Sequence, residues 1–327
     1  MVKKIFGTTV ILLVITTTMV GAQTLGIGTS NPGSITHSCG SALAKLITAE
    51  LGMQTRVQPH GGNNAFVPAV NAGEVDFGLA NVLEMRDALA GSGIYKGQPL
   101  KNLRVAAVLM PLRTAFFVPK DSPIKTLKDL KGKRVTGRYT SQKVVQYITA
   151  GLLANAGLSY KDVKMVPVPN VNRGADDFIQ GRADTFFFAV GSGKVREAGA
   201  KVGGLRALNV DPSPEAMARF RKHHPVVYPL LLQPSPANYG IIGPTYVAAM
   251  DFLLITNNKI SDDVIYKITK VIHGGKKALF ASFKPLGANF SPDLMAKKLP
   301  SGEYHPGAIK FYTEVGQWPP KVESVPK

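Results

Sequence analysis

The residues of this chain best suited to chemistry stand in short polar runs. Arg138-Tyr139-Thr140-Ser141-Gln142 sets a guanidinium beside a phenol, two hydroxyls and an amide. A guanidinium grips a carboxylate through two parallel N–H donors, which makes Arg138 the candidate anion clamp. A plain surface arginine is the competing role in so basic a chain. Tyr139 either stacks on a ligand or covers a cleft. Thr29, Ser30 and Ser34 can donate to a carboxylate, and helix capping is an equal alternative for each. Asn63 and Asn64 follow two glycines that permit close backbone approach, or they cap a helix beginning at Ala65. His37, Asn81, Phe188, Gly191 and Ser192 complete the candidate set.

Enzyme signatures do not assemble from these residues. Gly191-Ser192-Gly193 lacks the first glycine of a nucleophile elbow, because position 190 is Val. Gly26-Ile27-Gly28 is followed by no third glycine at dinucleotide spacing, and Gly193-Lys194 lacks a Walker pattern. His223-His224 find no nearby carboxylate or cysteine to complete a metal set, and read as surface. No catalytic residue, metal or cofactor is expected.

The elements that must position the polar runs repeat. Asn71-Ala72-Gly73-Glu74-Val75-Asp76-Phe77 and Ile179-Gln180-Gly181-Arg182-Ala183-Asp184-Thr185 share a Gly and an Asp 108 positions apart. Each glycine closes a short helical segment and an apolar strand follows. Upstream, Leu25 to Gly28 leads through a polar loop into the amphipathic stretch Gly40 to Leu51, and then to Thr55 to Gln58. Arg134 to Gly137, Val144 to Ala156 and Lys164 to Val168 match them in order. Two β-loop-α-β-loop-α-β units call for parallel strands with crossover helices, hence an α/β protein of two similar lobes. Pro-rich punctuation from Pro225 to Pro236 precedes a strand-like run, Ala248 to Thr256, a helix pattern, Asp262 to Phe280, and a short helix, Pro306 to Gly316. Lobe one is expected at 23–112 plus 250–327, and lobe two at 113–249. In such lobes a ligand sits beyond the carboxyl ends of the strands, against helix N-termini.

Lys3 and Lys4, an apolar stretch from Ile5 to Val20 and small residues at Gly21-Ala22 have the order of a secretory leader, with cleavage expected after Ala22 and a periplasmic destination. The formal charge of +18 is carried by scattered lysines and arginines without aromatic interleaving, which argues against nucleic acid. Cys39 is the only cysteine, so an intramolecular disulfide is impossible and a small buried hydrophobe is its simplest role.

Ile27-Gly28-Thr29, Gly40 to Leu46, Gly61 to Asn64, Gly73 to Gly78, Leu127 to Val135, Gly181 to Phe188, Val264 to Lys270 and His305 to Ala308 form an ordered set over nearly the whole mature length. In that set the chain resembles the TAXI class of solute receptors for TRAP-type (tripartite, ATP-independent periplasmic) transporters. The resemblance implies a type II periplasmic-binding fold, a small-molecule ligand between the lobes and delivery to an integral membrane permease driven by an ion gradient. A monomer is expected. The chain departs from the family's pattern at Asn31 to His37, where the family has an aromatic pair. It departs again at Asn81-Val82-Leu83, which stands for a more polar triplet, and at Arg138-Tyr139, which stands in a Gly-rich loop. These changes favour an organic anion with a less polar body. A receptor for an ATP-driven importer or a sensor kinase would use the same fold, and a secreted enzyme on this scaffold is the reading from another class.

Overall fold

The computed structural model describes residues 24–324. The leader and its expected cleavage after Ala22 lie outside the described residues. The first repeat unit folds as β1 (Leu25–Thr29), α1 (Ile35–Leu51), β2 (Thr55–Pro59), α2 (Asn63–Ala72) and β3 (Phe77–Asn81), with α3 (Val82–Ala90) following. β1 pairs parallel with both β2 and β3. A strand of 17 residues, β4 (Leu103–Pro119), leads into the second unit. That unit is β5 (Arg134–Gly137), α4 (Lys143–Asn155), β6 (Lys164–Pro167), α5 (Val171–Ile179) and β7 (Phe186–Ala189), then α6 (Gly193–Lys201).

The duplication extends to single hydrogen bonds. Gly26 N donates to Asp76 Oδ2 at 2.7 Å, and Arg134 N donates to Asp184 Oδ2 at 2.7 Å. Gly73 and Gly181 both take positive φ, 80° and 71°, where the chain leaves α2 and α5. That left-handed turn is why glycine stands at both places. The copies differ in their sheets. β5 and β6 form a two-stranded ribbon that meets the β7 region through one bridge, Val135 to Thr185.

The remaining elements are β8 (Leu205–Ala207), α7 (Pro214–Arg221), β9 (Tyr228–Leu232), β10 (Thr245–Asn257), α8 (Asp262–Gly274), α9 (Lys276–Ser282), α10 (Lys284–Asn289) and α11 (Pro306–Glu314). β10 runs antiparallel to β4 from Ala248 opposite Thr114 to Asn257 opposite Leu103. At one end β10 pairs with β3, and at the other with β9. The far end of β4 pairs with β7 and β8. Two buried, apolar strands thus run from one lobe into the other, with register shifts at Phe252/Leu253 and Leu254/Ile255 adding twist between the halves.

Four local expectations are corrected. The run Asp262 to Phe280 is not one helix; it breaks at Gly274-Gly275, where a Cβ on Gly275 would stand 2.5 Å from Leu46 Cδ2 of α1. The Pro225 to Pro236 segment contains a strand, β9, which tolerates Pro229 because β9 pairs on one side only. α1 starts at Ile35, ahead of Gly40, because the Ser34 hydroxyl accepts from His37 N at 3.2 Å and caps it. His224 is buried, not surface, in the turn between Phe220 and Val227. Burial, aided by the charge of Arg86, pushes its pKa down to about 3, so the ring is neutral.

Asp251 of β10 is fully buried and accepts from Lys297 Nζ at 2.9 Å and Ser324 Oγ at 2.7 Å, which ties the C-terminal segment to the long strand. Removing one partner of a buried pair strands the other charge, whereas removing both does not. Lys297→Met is expected to cost about 3–5 kcal/mol in urea denaturation, and Asp251→Leu/Lys297→Met to recover most of that loss.

Candidate functional site

Between the two units the carboxyl ends of β1 and β3 and the first turns of α1 and α2 face the first turns of α4 and α5 and the end of β7. A cavity of about 70 Å³ lies there, with Ser34, Thr36, Asn63, Asn81, Thr114 and Gln142 as its polar wall. Leu112, Val144, Ile148, Phe188 and Phe252 are among its apolar neighbours, and no charged side chain among the described residues lines it. Each element ends here for a local reason. Ser34 caps α1, Asn81 caps α3 by accepting from Glu84 N at 3.0 Å, and Asn170 caps α5 by accepting from Arg173 N at 2.9 Å. Several side chains that could serve a ligand therefore also hold the helix ends.

Hydrogen bonds cross from one unit to the other at this level. Gln142 Nε2 donates to Ser30 Oγ at 3.0 Å while its Oε1 accepts from Val171 N at 2.9 Å. Asn64 Nδ2 donates to Thr140 O at 3.2 Å, and Asn64 Oδ1 accepts from Lys143 N at 3.2 Å. Asn172 Nδ2 donates to Pro32 O at 2.7 Å. Gly62 is the tightest of these contacts: a Cβ there would lie 1.9 Å from Ser141 O. The glycine's close approach is thus to the backbone of the opposite unit. α2 begins at Asn63, so Asn63 lies inside the helix and Gly62 holds the cap position without a side-chain bond.

Not every candidate joins the cavity. Thr29 turns its hydroxyl to Ser30 O at 3.0 Å. Arg138, Tyr139 and Thr140 line a separate, wider groove of about 650 Å³ with Gly93, Ile94 and Tyr147. Arg138 is exposed at φ 54°, and its N–H donates to Gln146 Oε1 at 2.7 Å. The Tyr139 ring is buried, with its hydroxyl 2.9 Å from Thr136 Oγ1. His37 is half-buried in a shallow pocket with Lys45 and Phe283. Gly191 and Ser192 are buried in the loop that leads to α6.

This architecture has counterparts among known proteins. The model of the NMT1-like family matches residues 27–316. The chain belongs to the NMT1-like family. The alkanesulfonate-binding protein SsuA from Xanthomonas axonopodis pv. citri, bound to MOPS, superposes with a TM-score of 0.50 at 16% identity. The match covers 92% of this chain and 96% of that one. A structure described as a periplasmic transporter gives a TM-score of 0.57 at 17% identity, over 90% of this chain and 93% of that one. The fold is that of the two-lobed periplasmic binding proteins.

Three contributors to the site have no motif. Leu112 and Thr114 of β4 and Phe252 of β10 reach the cavity because the long strands pass its floor, and a continuous apolar run is their only signal. Val144, Val145 and Ile148 form the buried stripe of α4. Glu84 stands behind the polar wall. Asn63 Nδ2 donates to Glu84 Oε2 at 2.6 Å, and Tyr95 OH donates to Glu84 Oε1 at 3.3 Å. Asn63 Oδ1 in turn accepts from Ser30 Oγ at 3.3 Å, so Glu84 connects through Asn63 and Ser30 to Gln142 across the cleft.

Burial pushes the Glu84 carboxyl up from an ordinary 4.5 to about 7, against its hydrogen bonds and with help from Asp87. Between those two values the native state holds a proton that the unfolded chain has released. Stability contributed at this site is therefore full below about pH 4.5 and falls as pH rises through 7. In denaturation from pH 5 to 8 the wild type is expected to lose on the order of 3 kcal/mol more than Glu84→Gln, which mimics the protonated carboxyl. Parallel pH profiles of the two proteins would assign the effect elsewhere.

Proposed function

We propose that this protein is an extracytoplasmic solute-binding protein that captures a small organic anion between its lobes and hands it to a TRAP-type permease. The observation that carries the reading is the cleft itself, where polar groups of both lobes meet over an apolar floor and bond to one another across the gap. Such a site surrounds a small molecule on all sides when the lobes are together. Family membership and the binding-protein fold support it, and the bound sulfonate buffer of the structural neighbour is consistent with an acidic solute. The lobes are proposed to divide at 112/113 and 249/250, inside β4 and β10.

Arg138 and the aromatic lining of the outer groove supply the cation and the apolar surface that an anion with a less polar body needs. Thr140 of the same groove, and in the inner cavity Ser34, Asn63, Asn81 and Gln142 with Ser30 bonded to Gln142, supply orienting hydrogen bonds. A permease driven by an ion gradient would make uptake in reconstituted vesicles collapse with an ionophore and persist without ATP. The solute comes from a thermal-shift screen of organic acids and amino acids, because a ligand of the folded state alone raises the melting temperature. Calorimetry with the best acid is expected to show Arg138→Ala weaker by roughly tenfold to a hundredfold, the worth of one charge-assisted contact. Lys131→Ala, on an exposed turn away from the groove, is expected to match the wild type. Equal affinity for wild type and Arg138→Ala removes Arg138 as the clamp.

A further inference from the structure

One arginine differs in its surroundings from the others in this basic chain. Arg113 lies in the middle of β4, opposite Ala249 of β10, where the two long strands run side by side between the lobes. It is 2% exposed. Its Nη1 donates to Asn238 Oδ1 at 2.7 Å, while Nε and Nη2 are buried and meet no acceptor among the described residues. Among the described residues no carboxylate pairs with it, and the ionisable group that acts on it is the buried thiol of Cys39. Burial lowers the guanidinium pKa only to about 10, so the group is a cation at neutral pH.

The two free donors are the parallel pair on the side edge of the guanidinium. Elsewhere in this protein that same edge holds carboxylates. Arg134 Nε and Nη2 grip Asp184 at 3.1 and 2.6 Å, and Arg86 Nε and Nη2 grip Asp87 at 3.1 and 2.8 Å. Arg182 holds Asp177 in the same way. Those carboxylates are the chain's own. At Arg113 the anchor is a neutral amide that fixes one end of the fork and leaves the carboxylate-binding edge open. A buried cation with two unmet donors is costly, and an anion in their plane removes that cost.

The surrounding chain comes chiefly from lobe two, and Pro285 of lobe one stands against the loop at Gly191, 2.9 Å from a Cβ placed there. Val190 N donates to Arg113 O at 2.8 Å, and in the same loop the Ser192 hydroxyl is buried without a partner. A Cβ on Gly191 would stand 3.0 Å from Ala237 O, so this loop rests on the segment that carries Asn238. Leu112 and Thr114 line the cavity described above, and strand alternation turns Arg113 to the opposite face of β4. Arg138 lines the outer groove, which includes none of these residues.

We propose that Arg113, held by Asn238, is a built binding site for a small carboxylate or sulfonate, separate from the groove that carries Arg138. The anion reaches it when the lobes part, because the fork is shut off from solvent as the lobes stand together. The proposal rests on Arg113 and its neighbours alone and does not require the receptor reading.

The test uses the full chain with arginine side chains labelled for NMR, titrated with sodium acetate against sodium chloride at constant ionic strength. The Arg113 Nε–H signal, assigned by its disappearance in Arg113→Lys, is expected to shift saturably with acetate and not with chloride. Melting temperature is expected to rise with acetate in the wild type, and Arg113→Lys, which keeps charge and loses the fork, to respond at least tenfold more weakly. A parallel series with hexanoate separates the sources: tighter binding than acetate marks the acid group of a larger solute, and equal binding marks a free carboxylate. Should Arg113→Lys fail to fold, Asn238→Ala supplies the assignment. An Arg113 signal unmoved by both acids overturns the proposal, and means that buried water or packing meets the fork. The receptor reading would then still stand on the solute screen.

Discussion

The antiparallel pairing of β4 with β10 is the constraint on which the rest of this structure depends. Each strand is long enough to serve as the inner strand of one lobe at one end and of the other lobe at the other. The two copies of the repeated unit are thus joined by a buried ladder whose register brings the ends of β1, β3 and β7 to face one another. The floor of the cleft, Leu112, Thr114 and Phe252, is made of the same residues that make the connection. A rotation of the lobes has to be absorbed along these strands, where the two register shifts stand. The buried Asp251–Lys297 pair fastens the C-terminal segment to that region.

On this frame the polar residues of the cleft divide into two kinds. Ser34, Asn81 and Asn170 are satisfied within their own lobe by helix ends, so they are rigid before any ligand arrives. Asn64, Asn172 and the amide nitrogen of Gln142 are satisfied by the opposite lobe, while Gln142 Oε1 is held by Val171 N of its own. The second kind favours the lobes standing together, and each bond is worth about 1 kcal/mol, a bias that a ligand bridging both walls can reinforce. Glu84 lies behind them, joined to Ser30 through Asn63, and its raised pKa reflects how completely the wall excludes water.

Much of this was legible in the chain itself. The Gly and Asp 108 positions apart announced two copies of one unit, because a left-handed turn and a strand-anchoring carboxylate each demand a particular residue type. The polar runs that hold Thr29 to His37, Asn63-Asn64 and Arg138 to Gln142 were found for a similar reason: polar runs between a strand and a helix sit at the carboxyl edge of an α/β sheet. What each polar residue does there was not legible, since Ser, Thr and Asn that cap a helix and those that meet a ligand are the same residues in the same places. The pairing of β4 with β10 joins residues far apart in the chain, and an apolar run carries no label for its partner. Arg113 was hidden for a further reason. In a chain with 39 lysines and arginines, only burial distinguishes one cation from the rest, and burial is a property of the fold.

The central claim, that the lobes turn about β4 and β10 to close on the cleft, is most directly tested at Gly62. Its φ of 168° is extended backbone that alanine adopts freely, so Gly62→Ala leaves lobe one intact and obstructs the opposite unit, where its Cβ would stand 1.9 Å from Ser141 O and 2.6 Å from Gln142 Cγ. With spin labels on exposed positions of the two lobes, saturation with the acid found by screening is expected to shorten the interlobe distance in the wild type. Gly62→Ala is expected to stay at the longer distance. A distance that saturation leaves unchanged in the wild type, or that shortens equally in both proteins, would contradict the account.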